Sequence, residues 1–253
     1  MDKNQLAAQS PSAELISRRA DRFNGVDGDW SPVKQSALFA SRSQVLELAV
    51  QLSRSVPGHI MEFGVWKGHS TRAIRDAWWR GAFWSPRQWS KRIYACDSFA
   101  GLPENYEHLA AGTFATPIPR LTGIRIVQGF FEESLTAELA AEVGRVSLVH
   151  VDVDLYSAAK TVLNWVAPLL SDGALLVFDE FGGEDPAEER ALDEWLEATG
   201  REVLLIGLFG REPSGGGDRT DRRAIFQVVG GGPVPRLPAP LPARIRRRLM
   251  SRW

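Results

Sequence analysis

The chain has 253 residues, with 30 Lys+Arg against 31 Asp+Glu and a formal net charge of −1. That balance argues against a protein whose main task is to coat nucleic acid or an anionic membrane. With 44% hydrophobic and 24% charged residues the composition is that of a globular chain, long enough for one large α/β domain or two small ones. There is no run of about 18 apolar residues to span a membrane, and the start, MDKNQLAAQSPSAE, lacks the layout of a signal peptide. Cys96 is the only cysteine, so neither an internal disulfide nor a cysteine metal cluster can form. A cytoplasmic protein is expected.

In chain order, residues 1–35 show no sustained periodicity and are read as an N-terminal arm or lid. Residues 36–56 place Leu38, Val45, Leu48, Ala49 and Leu52 at helical spacing, and Pro57-Gly58 ends that helix. Short apolar runs then alternate with amphipathic stretches. Strands are expected at 59–63, 92–97, 124–128, 146–152 and 174–179, and helices near 69–82, 132–142, 156–171 and 186–200. Such alternation implies a parallel sheet with helices on both faces. The rhythm then changes: 202–209 and 223–229 are β-rich runs joined by a polar loop, which signals a hairpin. Five βα units and a terminal hairpin make one domain over 36–229. From 230 the Pro/Gly-rich stretch GGPVPRLPAPLP leads into the basic end ARIRRRLMSRW, read first as a solvated terminus and second as a short amphipathic helix.

Chemistry gathers where the strands run out. Glu62-Phe63-Gly64-Val65-Trp66-Lys67-Gly68-His69-Ser70 follows the first strand, and glycines there let backbone approach a ligand at a helix N-terminus. The spacing is Gly-x-x-x-Gly rather than Gly-x-Gly-x-x-Gly, so a nucleotide without a pyrophosphate fits better. Glu62 could pair with a ligand's ammonium group, and a plain tight turn is the competing reading. The second strand ends in Cys96-Asp97-Ser98, where a carboxylate is placed to accept hydrogen bonds from ribose hydroxyls. Between them Trp78, Trp79, Trp84 and Trp89 are read as packing residues before pocket walls. The third strand leads into Gln128-Gly129-Phe130-Phe131, where a base could stack, or where two core rings could simply pack. The fourth and fifth strands end in Asp152-Val153-Asp154 and Asp179-Glu180, so four acids converge on one mouth and call for a compensating cation. An oxygen-only cluster suits Mg²⁺; separate capping carboxylates are the alternative.

These segments, EFGVWKGHS, DSFAGLPENY, GFFEESL, HVDVDLYSAAKTVL and GALLVFDEF, resemble the class I S-adenosylmethionine-dependent methyltransferases. More narrowly they resemble the macrocin O-methyltransferase family, which methylates sugar hydroxyls of macrolide and aminocoumarin natural products. The resemblance covers roughly residues 36–229 and implies a Rossmann-like α/β fold with a seven-stranded, mostly parallel sheet and a C-terminal antiparallel hairpin. It would put Glu62, Gly64 and Gly68 around the methionine part of S-adenosylmethionine, Asp97 on the ribose and Gly129-Phe130 near the adenine. Ser70, Ser98 and Asp152 are counted with these cofactor-binding residues. Asp152, Asp179 and Glu180 would hold Mg²⁺, leaving Asp154 as general base. Two departures stand out: Glu180 replaces a frequent Asp, and Leu155 stands where related catechol-type enzymes carry a lysine, which argues against a lysine base.

The expectation is therefore a Mg²⁺-assisted O-methyltransferase acting on a hydroxyl of a sugar-bearing or polar small molecule, such as a glycoside or glycan precursor. A metal-independent methyltransferase and a non-catalytic cofactor-fold module are the alternatives. No nucleic-acid partner and no transmembrane segment are expected, and a homo-oligomer is left open. His150 reads as a satisfied core residue, His69 as a contact for cofactor or substrate, and His59 and His108 as surface. Lys160 and Arg120 are candidates for meeting an anionic acceptor. The absence of a Gly-x-Ser-x-Gly elbow argues against a hydrolase.

Overall fold

The computed structural model describes residues 40–82, 91–106, 109–181, 187–210 and 222–229. The arm at 1–35, the tail from 230, Leu38, Trp84, Trp89 and His108 lie outside the described residues. Seven strands form one sheet in the order β3-β2-β1-β4-β5-β7-β6. They are β1 (His59–Phe63), β2 (Ile93–Asp97), β3 (Arg125–Gln128), β4 (Val146–Val151), β5 (Leu170–Phe181), β6 (Glu202–Gly210) and β7 (Arg222–Val229). The first five pair in parallel, and β7 runs antiparallel to both β5 and β6. Among the described residues no helix is long and apolar enough to cross a membrane.

Alternation along the strands divides the core. Ile60, Leu148, Leu175, Val177 and Ile225 face one layer, covered by α1 (Arg42–Leu52) and α2 (His69–Ala82). Met61, Phe63, Val149, Val151, Leu176 and Phe178 face the other. That second layer holds α3 (Phe131–Ser134), α4 (Ala137–Val143), α5 (Tyr156–Val166) and α6 (Ala187–Thr199). A period of two in the strands thus feeds helices on both faces.

Helix boundaries follow from local chemistry. Ser41 caps α1 in a capping box: its hydroxyl accepts from the Gln44 amide, and the Gln44 side chain accepts from the Ser41 amide. The stripe that reaches the core is Val45, Leu46, Ala49 and Val50, while Leu48 and Leu52 stay half-buried. The single helix expected at 132–142 is two, because Thr136 ends the first turn and caps α4 by accepting from the Leu139 amide. The helix expected to run to 171 stops at Val166. Pro168 cannot continue it, a 3-10 turn follows at Ala167–Leu169, and β5 begins earlier than expected, at Leu170. Trp78 packs in the core, but Trp79 is exposed.

Candidate active site

The site lies along the edge where the parallel strands end, the usual ligand position in open α/β sheets. Gly64 follows β1 with φ +85°, and a Cβ built on it would stand 1.7 Å from the carbonyl oxygen of Asp152, which follows β4. Only glycine lets the ends of β1 and β4 pass so closely, held by a 2.9 Å bond from the Asp152 amide to the Phe63 carbonyl. Asp97, at the end of β2, folds the neighbouring loops. Its Oδ2 accepts from the Val65 and Trp66 amides at 2.7 and 2.8 Å, and its Oδ1 accepts from the Phe99 amide at 2.7 Å. A carboxylate oxygen has two acceptor positions, so Asp97 retains capacity for a ligand hydroxyl. Gly129 donates to the Asp97 carbonyl and closes the floor toward β3.

A cavity of about 470 Å³ opens here. Its wall includes Gly64, Ser70, Asp97, Ser98, Gly129 and Phe130 from the β1–β3 side and Asp152, Asp154 and Glu180 from the β4–β5 side. His69 also lines it. Glu62, Gly68 and Asp179 do not. Gly68 shapes the turn into α2, with φ +74°. Glu62 pairs in register with His150 on β4 and is fully buried, its Oε1 3.0 Å from His150 Nδ1. Burial alone would lower the His150 pKa, but the Glu62 hydrogen bond and the Glu62, Asp152 and Asp179 charges outweigh it and raise it. His150 is only half satisfied, since its Nε2 has no partner among the described residues.

Among the described residues, Arg42 and Arg223 bring to the acid mouth cations that spacing does not reveal. Arg42 donates through Nη1 to Asp152 Oδ2 at 2.9 Å and through Nη2 to Asp179 Oδ2 at 2.5 Å. Arg223, on β7, donates through Nε to Asp179 Oδ1 at 2.6 Å. Burial would raise the Asp179 pKa; Arg42 and Arg223 override it and hold Asp179 below the carboxylate range. Asp152 moves the other way, pushed up by burial and by the Asp179 charge beyond what His150 and Arg42 offset. Burial, then Glu180 and Asp179, raise Asp154 to about 6. Arg42 was invisible to motif reading because it opens a helix 137 residues before its partner.

Glu188 was also missed. It is buried on α6, with Oε1 accepting from the Val153 amide at 3.3 Å and Oε2 from the Glu180 amide at 3.1 Å. One carboxyl group thus fastens both acid-bearing loops, and burial, together with the Asp152 charge, raises its pKa well above the ordinary range. Glu188→Ala is expected to take this acceptor from the buried Val153 amide and the part-buried Glu180 amide. At about 1–3 kcal/mol for each, with a cavity term added, the loss measured by urea denaturation should be at least about 3 kcal/mol. A change below about 1 kcal/mol would contradict this role. Lys160, by contrast, is engaged by Glu194 and Tyr156 and does not line the cavity.

The donor set bears on a metal ion. Asp152, Asp154, Asp179 and Glu180 are hard oxygen donors, and among the described residues the Arg42 and Arg223 guanidinium groups pair with Asp152 and Asp179. Ligand atoms of His150, Asp152 and Asp179 lie within 4.8 Å of one another. A divalent cation fits this charge and this chemistry.

Comparison with known proteins agrees with the architecture. A macrocin-O-methyltransferase profile matches residues 3–115 and a methyltransferase-domain profile matches residues 61–181. The 8-demethyl-8-(2,3-dimethoxy-alpha-L-rhamnosyl)-tetracenomycin-C 4'-O-methyltransferase of Streptomyces olivaceus is 26% identical over 179 residues, covering 60% of this chain and 65% of the relative. The match therefore spans slightly less than two thirds of that relative's length. The demethyldecarbamoylnovobiocin O-methyltransferase of Streptomyces niveus is 22% identical, covering 66% of this chain and 70% of its own. Among solved structures, the O-methyltransferase NovP superposes with a TM-score of 0.54 at 19% identity over 75% of this chain and 80% of that one. The calicheamicin methyltransferase CalS11 superposes at 0.53 and 21% identity over 87% and 93%.

The domain has the fold of the class I S-adenosylmethionine-dependent methyltransferases. Within that class the chain resembles the macrocin O-methyltransferase family, as its motifs imply.

Proposed function

We propose that the protein transfers the methyl group of S-adenosylmethionine to a hydroxyl of a sugar carried by a small molecule, with Mg²⁺ at the acid mouth. The observation that carries this reading is one shared cavity. The residues suited to a nucleoside, Asp97, Ser98, Gly129 and Phe130, share it with the pocket-facing acids Asp152, Asp154 and Glu180. The sugar is supported by the relatives' names, one a 4'-O-methyltransferase of a rhamnosyl-bearing compound and another, of known structure, a TDP-rhamnose 3'-O-methyltransferase.

S-adenosylmethionine supplies a methyl group activated on a sulfonium. The protein has to hold the acceptor oxygen in line with the carbon–sulfur bond and exclude water, since alignment contributes much of the acceleration in a displacement. Asp97 and the amide-lined turn after β1 orient the cofactor end of the cavity. As the oxygen–carbon bond forms and the sulfur keeps its bonding pair, Asp154 takes the hydroxyl proton. Asp152 and Glu180, with Asp179 behind them, would hold Mg²⁺, which supplies Lewis-acid polarisation and charge neutralisation. A metal-independent reaction is the second reading, favoured by the guanidinium groups already seated on Asp152 and Asp179.

The full chain should be stabilised by S-adenosylhomocysteine in a thermal-shift assay, by several degrees at saturating ligand. It should also methylate members of a panel of rhamnosyl and nucleotide-sugar acceptors, losing activity in EDTA and regaining it with Mg²⁺. No shift with either cofactor form would overturn the methyltransferase reading, and full activity in EDTA would establish the metal-independent one.

A further inference from the structure

Two different cations compete for one position in this site. Arg42 occupies Asp152 Oδ2 and Asp179 Oδ2, and Arg223 holds the remaining Asp179 oxygen. These are the carboxylates whose ligand atoms, with a ring nitrogen of His150, come within 4.8 Å of one another. His150 is fully buried and its Nε2 is unpartnered among the described residues, an unusual state for a polar atom beside a charged cluster. His150 is also oriented by Glu62 in the manner of a metal-bound imidazole, whose second nitrogen is held by a carboxylate.

We propose that Arg42 is a tethered cation that excludes a divalent metal ion from Asp152 and Asp179, so that the ion enters only when Arg42 withdraws. The proposal rests on the magnesium part of the function above. Octahedral Mg²⁺ holds its oxygen ligands at about 2.0–2.1 Å. An ion held by these two carboxylates would need oxygens that the Arg42 guanidinium occupies.

The two arginines differ in their freedom to leave. The Arg223 side chain is 10% exposed and stems from β7, a strand paired on both sides by β5 and β6. The Arg42 side chain is 38% exposed, on the first residue of α1, and reaches the acids on a long flexible stem. The capping box at Ser41 and Gln44 anchors the helix end without using the Arg42 side chain, so the guanidinium can swing out while α1 stays in place. With Arg42 in place the metal-free acid mouth is partly neutralised and its loops are held together. With Arg42 withdrawn, the Asp152 and Asp179 oxygens that it occupies become available to an ion beside His150. The metal affinity of this chain is then lower than its acids alone would give, by the work of displacing Arg42.

Mn²⁺ provides the test, because the free ion can be counted by electron paramagnetic resonance without any turnover. The wild-type chain, Arg42→Ala and Arg42→Gln are titrated at neutral pH, with thermal melting as the check on folding. Both variants are expected to bind Mn²⁺ at least about tenfold more tightly than wild type, the Gln variant serving if Ala does not fold. Equal or weaker binding in the variants would overturn the competition while leaving a metal-assisted reaction standing. No Mn²⁺ binding by any of the three would overturn both, without touching the methyltransferase reading, which the S-adenosylhomocysteine shift tests separately.

Discussion

Asp154→Asn should lower kcat by about 10²–10⁴-fold, the usual contribution of a positioned base, while S-adenosylhomocysteine still binds. The residue is chosen by its surroundings. It follows β4 with φ +58°, a left-handed conformation uncommon for a non-glycine residue and tolerated best by Asn and Asp. Asn therefore preserves backbone and shape and removes only the basic oxygen. Burial and then the Glu180 charge raise the Asp154 pKa to about 6. The carboxylate is thus ionised at neutral pH yet more basic than an ordinary aspartate. Because the pKa is raised, the base is lost as pH falls through about 6, and wild-type kcat/KM should decline on that side. The residual activity of the Asn variant should lack that limb. Replacing a charge in an acid cluster should leave the melting temperature unchanged or higher. Turnover near the wild-type level would remove Asp154 from the mechanism.

Gly64→Ala should be the most damaging small substitution. The added Cβ would meet a backbone oxygen of Asp152 at 1.7 Å, which no rotamer can relieve. The ends of β1 and β4 would have to separate, breaking the Asp152-to-Phe63 bond and shifting Asp152 and Asp154 in the cavity. The left-handed backbone alone costs an alanine about 1–2 kcal/mol. With the clash the total should exceed about 3 kcal/mol, which for a chain of this size lowers the melting temperature by roughly 6–12 °C. Gly144→Ala isolates the conformational part, since Gly144 has φ +70° and nothing within 4 Å of a built Cβ. If the two variants melt alike, the close approach at Gly64 is not what the glycine serves. Loss of the S-adenosylhomocysteine shift should accompany Gly64→Ala and not Gly144→Ala.

The positions of the acids were readable because strands announce their own ends. An apolar run such as Val146–Val151 is buried throughout, and the first charged residues after it emerge at the sheet edge. The same logic placed Asp97 and Glu180, and all three strands end on one side because crossover connections keep them parallel. The logic fails for side-chain direction and partnership. Glu62 was read as a ligand contact, yet register places it beside His150, which its Oε1 meets, and it does not line the cavity. Asp179 was read as facing the mouth, yet strand alternation turns it toward the core, where Arg223 meets it from a strand 44 residues on.

The sequence by itself determined the alternating elements, the sheet edge that bears the chemistry and the resemblance to sugar O-methyltransferases. All three rest on local periodicity and on motifs a few residues long. Only the tertiary structure decided which cations face the four acids. Arg42 and Arg223 reach Asp179 because β4, β5 and β7 lie side by side and α1 packs across that end of the sheet. Strand order and register set those neighbours, and neither leaves a trace in the spacing of the residues concerned.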